Sequence, residues 1–200
     1  MKEKEYMRLE SDSIGTMEVP EDAYYGVQAL RAKENFPITG TKLHPVFIKN
    51  LAKIKRAAAI TNRKAGRLKP EIANAIEASA NEVICGMFDK DFIVDGIQGG
   101  AGTSANMNMN EVIANRAIEM LCGKKGDYTI VHPNDHVNMA QSTNDVIPTA
   151  GKLTVLDLLK PLDKSLSLLT DALYDKAAAF DHIVKIGRTQ LEDAVPMRLG

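Results

Sequence analysis

A mainly α fold is predicted for this chain, with short strands near its N-terminus, and three observations carry the prediction. Four stretches repeat apolar residues at steps of three and four, the spacing that lines one face of a helix. Proline or small polar residues stand at their starts, and glycine follows most of their ends. The first forty residues show no such period and are broken by turn formers.

In residues 1–40, Gly15, Pro20, Gly26, Pro37 and Gly40 interrupt short apolar runs, which leaves room for small strands or hairpins. From Pro45 to about Gly66, the residues Val46, Ile48, Leu51, Ile54, Ala58 and Ala59 predict a helix, with Lys and Arg between them. Pro70 opens a second helix, which buries Ile72, Ala75, Ile76, Ala80, Val83 and Ile84 and ends near Gly86. A third runs from about Asn106 to Leu121 on Met107, Val112, Ile113, Ala117 and Ile118, with Gly123 as its C-terminal cap. The fourth and longest spans residues 145–180, where Val146, Ile147, Leu153, Leu156, Leu159, Leu162, Leu166, Leu169, Leu173 and Ala177 form a nearly continuous stripe. Pro161 lies inside it and predicts a kink or break near Lys160. A short strand over residues 183–186 follows.

Two hundred residues allow one or two domains. The boundary falls between residues 140 and 145, giving an N-terminal domain over 1–142 and the first part of a helical-bundle domain over 143–200. The long apolar stripe cannot hide itself, so its partners are expected from other subunits or from residues after Gly200.

An apolar fraction of 44% with 26% charged residues is that of a soluble globular chain. A net charge of -1 gives no long-range attraction to nucleic acid or membrane, so neither is expected as a partner. Lys55 and Arg56 are assigned to a solvated helix face. The segment Met1-Lys2-Glu3-Lys4-Glu5-Tyr6 lacks an apolar signal core and no run approaches a membrane span, which predicts a cytoplasmic protein. Cys85 and Cys122 fit no metal or redox spacing and are expected to be reduced and buried.

Three polar segments stand at the edges of regular structure: Gly99-Gly100-Ala101-Gly102-Thr103-Ser104, Gln141-Ser142-Thr143-Asn144-Asp145 and Gly187-Arg188-Thr189-Gln190-Leu191. The first two precede helices, whose starts carry unpaired N–H groups and partial positive charge suited to a carboxylate or phosphate. Capping by Thr103 or Ser104 is the plain alternative at the first. No Gly-Lys-Ser/Thr ends the glycine run, which argues against nucleotide binding. His132 and His136 stand four apart, but Pro133 follows the first and no zinc-pattern Glu is present, so no metal site is expected. His132, Asn134 and Asp135 read instead as a loop facing solvent or a small anion, or as an Asx-type turn.

Together these segments resemble the aspartase/fumarase superfamily, most closely its aspartate ammonia-lyase branch. The resemblance covers nearly the whole chain. It includes Asp22-Ala23-Tyr24-Tyr25-Gly26-Val27-Gln28, Gln98-Gly99-Gly100-Ala101-Gly102-Thr103-Ser104 and Asn110-Glu111-Val112, and continues through His132-Pro133-Asn134-Asp135-His136, Gln141-Ser142-Thr143-Asn144-Asp145 and Gly187-Arg188-Thr189-Gln190-Leu191. The branch is chosen on Tyr25, Ala101 and Gln190, where fumarases resemble Tyr-Trp-Gly, Gly-Ser-Gly-Thr and Thr-His-Leu. The fold implied is L-aspartase-like, a small N-terminal lyase domain followed by the start of a long-helix bundle.

The activity implied is a reversible β-elimination, L-aspartate giving fumarate and ammonia, without a cofactor. Preorganised donors must stabilise an aci-carboxylate intermediate. By carry-over these are Thr103, Ser142, Thr143 and Thr189, with Asn144 near the substrate's amino group. Gln190 stands where many relatives have a histidine and, being an amide, can orient but not transfer a proton. His132, Asn134 and Asp135 match a secondary anion site of fumarases.

The family's base is a serine on a loop of the pattern Gly-Ser-Ser-x-Met-Pro-x-Lys-x-Asn, which does not occur in residues 1–200. The resemblance therefore implies an N-terminal fragment, inactive alone, of a homotetramer whose active sites draw on more than one subunit. Two other readings stand beside it: a fumarate hydratase or related lyase, and a non-catalytic helical interaction module that kept the framework without the chemistry.

Overall fold

The four periodic stretches form four long helices in the computed structural model, which describes residues 6–200. The Met1–Glu5 stretch lacking a signal core lies outside the described residues. Two short antiparallel strands come first, β1 (Met7–Ser11) and β2 (Thr16–Pro20), followed by helix α1 (Val27–Asn35). The principal helices are α2 (Pro45–Lys64), α3 (Pro70–Ile84), α4 (Thr103–Met120) and α5 (Thr143–Phe180), and a second hairpin, β3 (Val184–Thr189) and β4 (Glu192–Arg198), closes the chain. The architecture is mainly α, as the periodicity predicts. The chain divides into two compact units, one through Thr154 and one from Val155 to Gly200.

In the first unit α4 is the central element, because both its apolar and its polar residues are buried, Val112, Ile113 and Ala117 together with Asn106, Asn108, Asn110, Glu111 and Asn115. Helix α2 buries Ile48, Leu51, Ala52 and Ala59, one stripe at helical spacing, and α3 buries Ala73, Ile76, Ala80 and Val83. These faces meet α4 in one hydrophobic core. The first turns of α5 belong to the same core through Val146 and Ala150.

Helix α1 lies in a region that the sequence alone reads as irregular. Its N-terminal residue Gly26 has no capping side chain of its own, so the donors are satisfied from a distance. Glu111 accepts from the N–H groups of Gly26 (3.0 Å), Gln28 (2.9 Å) and Ala29 (3.0 Å), and Glu10 accepts from Val27 (2.9 Å). Burial pushes the Glu111 carboxyl up to about 7, while the backbone donors pull it down.

Three further expectations are corrected. Lys55 is not solvated: it faces the core at 0% exposure, with Arg56 half-buried beside it. Cys85 and Cys122 are exposed rather than buried, because Cys85 is the C-cap of α3 and Cys122 stands two residues past the end of α4, where the chain leaves the core. Of the kink or break expected near Lys160, the break does not occur, since α5 runs through Pro161 as one helix. The missing N–H and the ring's crowding of the preceding turn cost about 3 kcal/mol, which the bonds of the flanking turns offset in a helix of 38 residues.

In the second unit the remainder of α5 exposes Leu156, Leu159, Leu162, Leu166, Leu169 and Leu173, the predicted stripe. The strand expected over residues 183–186 extends to Thr189 and pairs with β4, which the sequence reading did not foresee. The ladder shifts register between Ile186 and Arg188. Leu199 N–H donates to the Ile183 carbonyl (2.8 Å) and Arg198 pairs with Asp181 (2.6 Å), which ties the hairpin to the end of α5.

Candidate active site

The glycine run positions the start of α4. Gly102 is its N-cap with φ 86°, a left-handed conformation suited to glycine. A Cβ there would lie 2.7 Å from Ile147 Cγ2, so the loop packs directly on the second turn of α5. Neither Thr103 nor Ser104 is the N-cap. The Gln98 amide oxygen instead accepts from Ala105 N–H at 2.6 Å. The exposed Thr103 hydroxyl stands at the first helical position.

The start of α5 stands beside it. The carbonyl of Ser142 accepts from Val146 N–H (3.0 Å), and Thr143 is the first helical residue. Ser142 and Asn144 are exposed, whereas Thr143 is half-buried. Asn106, three residues after Thr103 on α4, donates from Nδ2 to Thr143 Oγ1 at 3.1 Å and to Asn138 Oδ1 at 3.1 Å. The starts of α4 and α5 thus adjoin, Gly102 against Ile147 and Asn106 against Thr143, and each helix start carries partial positive charge.

Beneath them lies a cation that the sequence reading placed on the surface. Lys55 Nζ donates to Asn106 Oδ1 (2.7 Å) and Asn138 Oδ1 (2.8 Å). Burial pushes its ammonium down to about 7. The Asn138 amide also donates to the Gln141 carbonyl (3.1 Å), which fixes the turn leading into Ser142. No periodicity marks Lys55 as special; the clue available was a lysine on the register of Ile48, Leu51 and Ala59.

The His132 segment forms a short π-helical turn, Pro133–Val137, and not a loop. His132 Nδ1 accepts from Asn134 N–H (3.3 Å) and Asp135 N–H (3.1 Å), and His136 Nδ1 accepts from His132 N–H (2.9 Å). Both rings therefore cap backbone donors, and the turn ends at Asn138, which Asn106 links to Thr143. A hollow of about 260 Å³ beside it is lined by His132 and Asn134, but also by Asp12 and Glu111.

Thr189 and Gln190 belong to the second compact unit. Thr189 pairs with Glu192, which leaves Gln190 and Leu191 as a two-residue turn with φ 51° and 65°. Left-handed values at both positions define a type I′ turn, for which Asn-Gly is the favoured pair. Gln190 and Leu191 hold that geometry without glycine's freedom, the kind of local strain that concentrates at functional positions. Both are exposed.

A hollow of about 640 Å³ opens near the glycine run, between Phe47, Gln98, Gly102 and Ile147. None of the six hydroxyl and amide candidates lines it. Among the described residues no three His, Cys, Asp or Glu side chains gather for a metal ion, and no helix is long and apolar enough to cross a membrane.

A family model described as lyase matches residues 15–200. Aspartate ammonia-lyase of Bacillus subtilis is 52% identical over 198 residues, 99% of this chain and 42% of that protein. Fumarate hydratase class II of Halobacterium salinarum is 54% identical over 194 residues, 96% of this chain and 41% of that protein. The chain thus spans about 42% of the length of such curated relatives. Among solved structures, a fumarate lyase:delta crystallin from Brucella melitensis superposes with a TM-score of 0.89 at 48% identity, covering 97% of this chain and 46% of that one. A class II fumarase from Schistosoma mansoni gives 0.85 at 38% identity, over 97% and 41%.

Proposed function

Because the chain belongs to the lyase family, we propose that the full-length protein carrying it eliminates ammonia from L-aspartate to give fumarate. The observation that carries the reading is the convergence of the α4 and α5 N-termini, with Thr103 and Thr143 at their first positions and a buried lysine behind them. That arrangement supplies O–H donors and positive potential to a carboxylate without a metal ion.

The chemistry needs such a site. The proton on the carbon next to one carboxylate passes to a base, and its electron pair moves onto that carboxylate. The pair then returns to form the carbon–carbon double bond, while the carbon–nitrogen bond breaks and ammonia leaves with its electrons. Charge peaks on the carboxylate oxygens between the two steps, so donors aimed there lower the barrier. Thr103, Ser142 and Thr143 take this role, joined in the assembled enzyme by Thr189. Asn144 faces the amino group and Gln190 orients the substrate by hydrogen bonding. The resemblance assigns the base to a serine in a Gly-Ser-Ser-x-Met-Pro-x-Lys-x-Asn loop, a pattern that residues 1–200 do not contain.

The exposed leucine stripe of α5 calls for a cover, from other copies in a homotetramer or from the remainder of the full-length chain. Hydration of fumarate is the second reading, favoured by the 54% identity to the Halobacterium hydratase. Supplying the full-length protein with L-aspartate and L-malate separately distinguishes them. Fumarate from aspartate supports the reading, and fumarate from malate alone overturns it.

A further inference from the structure

Lys55 is among the largest fully buried side chains of the first unit, and its hydrogen bonds go to two amide oxygens rather than to a carboxylate. A buried ammonium without a counter-ion is costly to fold around, and a methionine would fill the same space without that cost. The arrangement becomes favourable once an anion occupies the surface to which the cation's field is directed.

The hydrogen-bond directions fix where that field goes. Lysine can only donate, so the Asn106 atom that meets it is the carbonyl oxygen. Both Asn106 N–H groups are then committed, one to Asn138 Oδ1 and one to Thr143 Oγ1. Thr143 Oγ1 accepts, so its own hydrogen must be donated elsewhere. A cation at one end of such a chain polarises each bond along it and strengthens the donor at the other end.

We propose that Lys55 is a positioning residue for the reaction: acting through Asn106, it orients and polarises the Thr143 hydroxyl toward the substrate carboxylate, and it supplies the buried positive charge that the aci-carboxylate requires. The inference rests on the function proposed above. It adds a group that contacts neither substrate nor solvent and that matters more as charge builds on the carboxylate.

The test uses the full-length protein with Lys55→Met, Lys55→Gln, Thr143→Val and the Lys55→Gln/Thr143→Val double variant. Glutamine keeps a donor toward the two amide oxygens but carries no charge, whereas methionine fills the space and leaves those oxygens without the lysine's donors. Two probes are titrated: succinate, a ground-state dicarboxylate, and the nitronate of 3-nitropropionate, whose planar end with negative charge on two oxygens resembles an aci-carboxylate in shape. Lys55→Gln weakens nitronate binding tenfold or more and lowers kcat in parallel, while succinate affinity and KM stay within threefold. In the Thr143→Val background the same change adds less than twofold. If Lys55→Gln loses nothing, or if both probes weaken together, Lys55 only fills space and the proposal is overturned. A wild-type protein that releases no fumarate from aspartate overturns the proposed function first, and this inference with it.

Discussion

Ile147 on α5 stands so close to Gly102 that a Cβ on the glycine would come within 2.7 Å of its Cγ2. The two helix starts that hold Thr103 and Thr143 are therefore set against each other with no space for a methyl group. Gly102→Ala must relieve that contact and also hold alanine at φ 86°. A left-handed non-glycine residue costs about 1–2 kcal/mol before any clash is counted. We expect a stability loss of about 2 kcal/mol or more by denaturant titration, with weakened binding of dicarboxylates. An unchanged midpoint would show that the helix starts yield freely.

Glu111 satisfies three N–H groups at the start of α1 from 82 to 85 residues away. In Glu111→Gln one oxygen becomes a donor and faces donors. Leaving buried donors unpaired costs about 1–3 kcal/mol each, so a loss of about 2 kcal/mol or more is expected. Hydrogen exchange should accelerate at Gly26, Gln28 and Ala29 and leave α3 unaffected. Equal protection in the variant would remove Glu111 from this role.

Asp95 joins the loop at residues 39–41 to the segment leading into the glycine run. Its carboxylate accepts from Ile97 N–H (2.7 Å), Thr39 Oγ1 (2.7 Å), and the N–H groups of Thr39 and Gly40 (2.7 Å each). These bonds, the one from Ile97 foremost, hold its carboxyl down to about 2, below the ordinary 3.8. A depressed acid stabilises the fold above its unfolded pKa and loses that contribution as pH falls through the folded value. Asp95→Asn should therefore be less stable than wild type at neutral pH, with the gap closing between about pH 4 and pH 2. A gap constant across that range would contradict the assignment.

Gln190 separates a binding role from a folding role, because its φ of 51° suits glycine better than glutamine. Gln190→Gly relaxes the turn, so stability should hold or rise by up to about 1 kcal/mol. Loss of one hydrogen bond to the substrate should lower kcat/KM for aspartate by about tenfold. The shape of the pH profile should not change, since an amide transfers no proton. Full activity in this variant would exclude Gln190 from the site.

The limits of the sequence reading follow from its physics. Helices α2 to α5 are legible because each repeats apolar residues at helical spacing, whether that stripe is buried as in α2 and α3 or exposed as along most of α5. Helix α1 is not, because its cap comes from Glu111, far along the chain, and only Val27 and Ala29 among its residues are buried. Lys55 is illegible for a related reason: lysine at the surface is the ordinary case, and its partners Asn106 and Asn138 lie 51 and 83 residues away. The cysteines mislead because helical register places them inside while helix termination places them outside. The sequence reading starts these two helices near Asn106 and Asp145, just past Thr103 and Thr143; that the two starts adjoin, Gly102 with Ile147 and Asn106 with Thr143, is a tertiary fact. Thr189 and Gln190 are legible only through the resemblance that the third polar segment carries.

The central claim is that the paired starts of α4 and α5 hold the substrate's carboxylate. A crystal structure of the full-length protein with succinate bound tests it most directly. The account predicts a carboxylate oxygen within about 3 Å of Thr143 Oγ1 and of at least one of the Thr103 and Ser142 hydroxyls. It further predicts that Asn106 still bridges Thr143 to Lys55. A succinate bound elsewhere, with these hydroxyls facing only water, would contradict it.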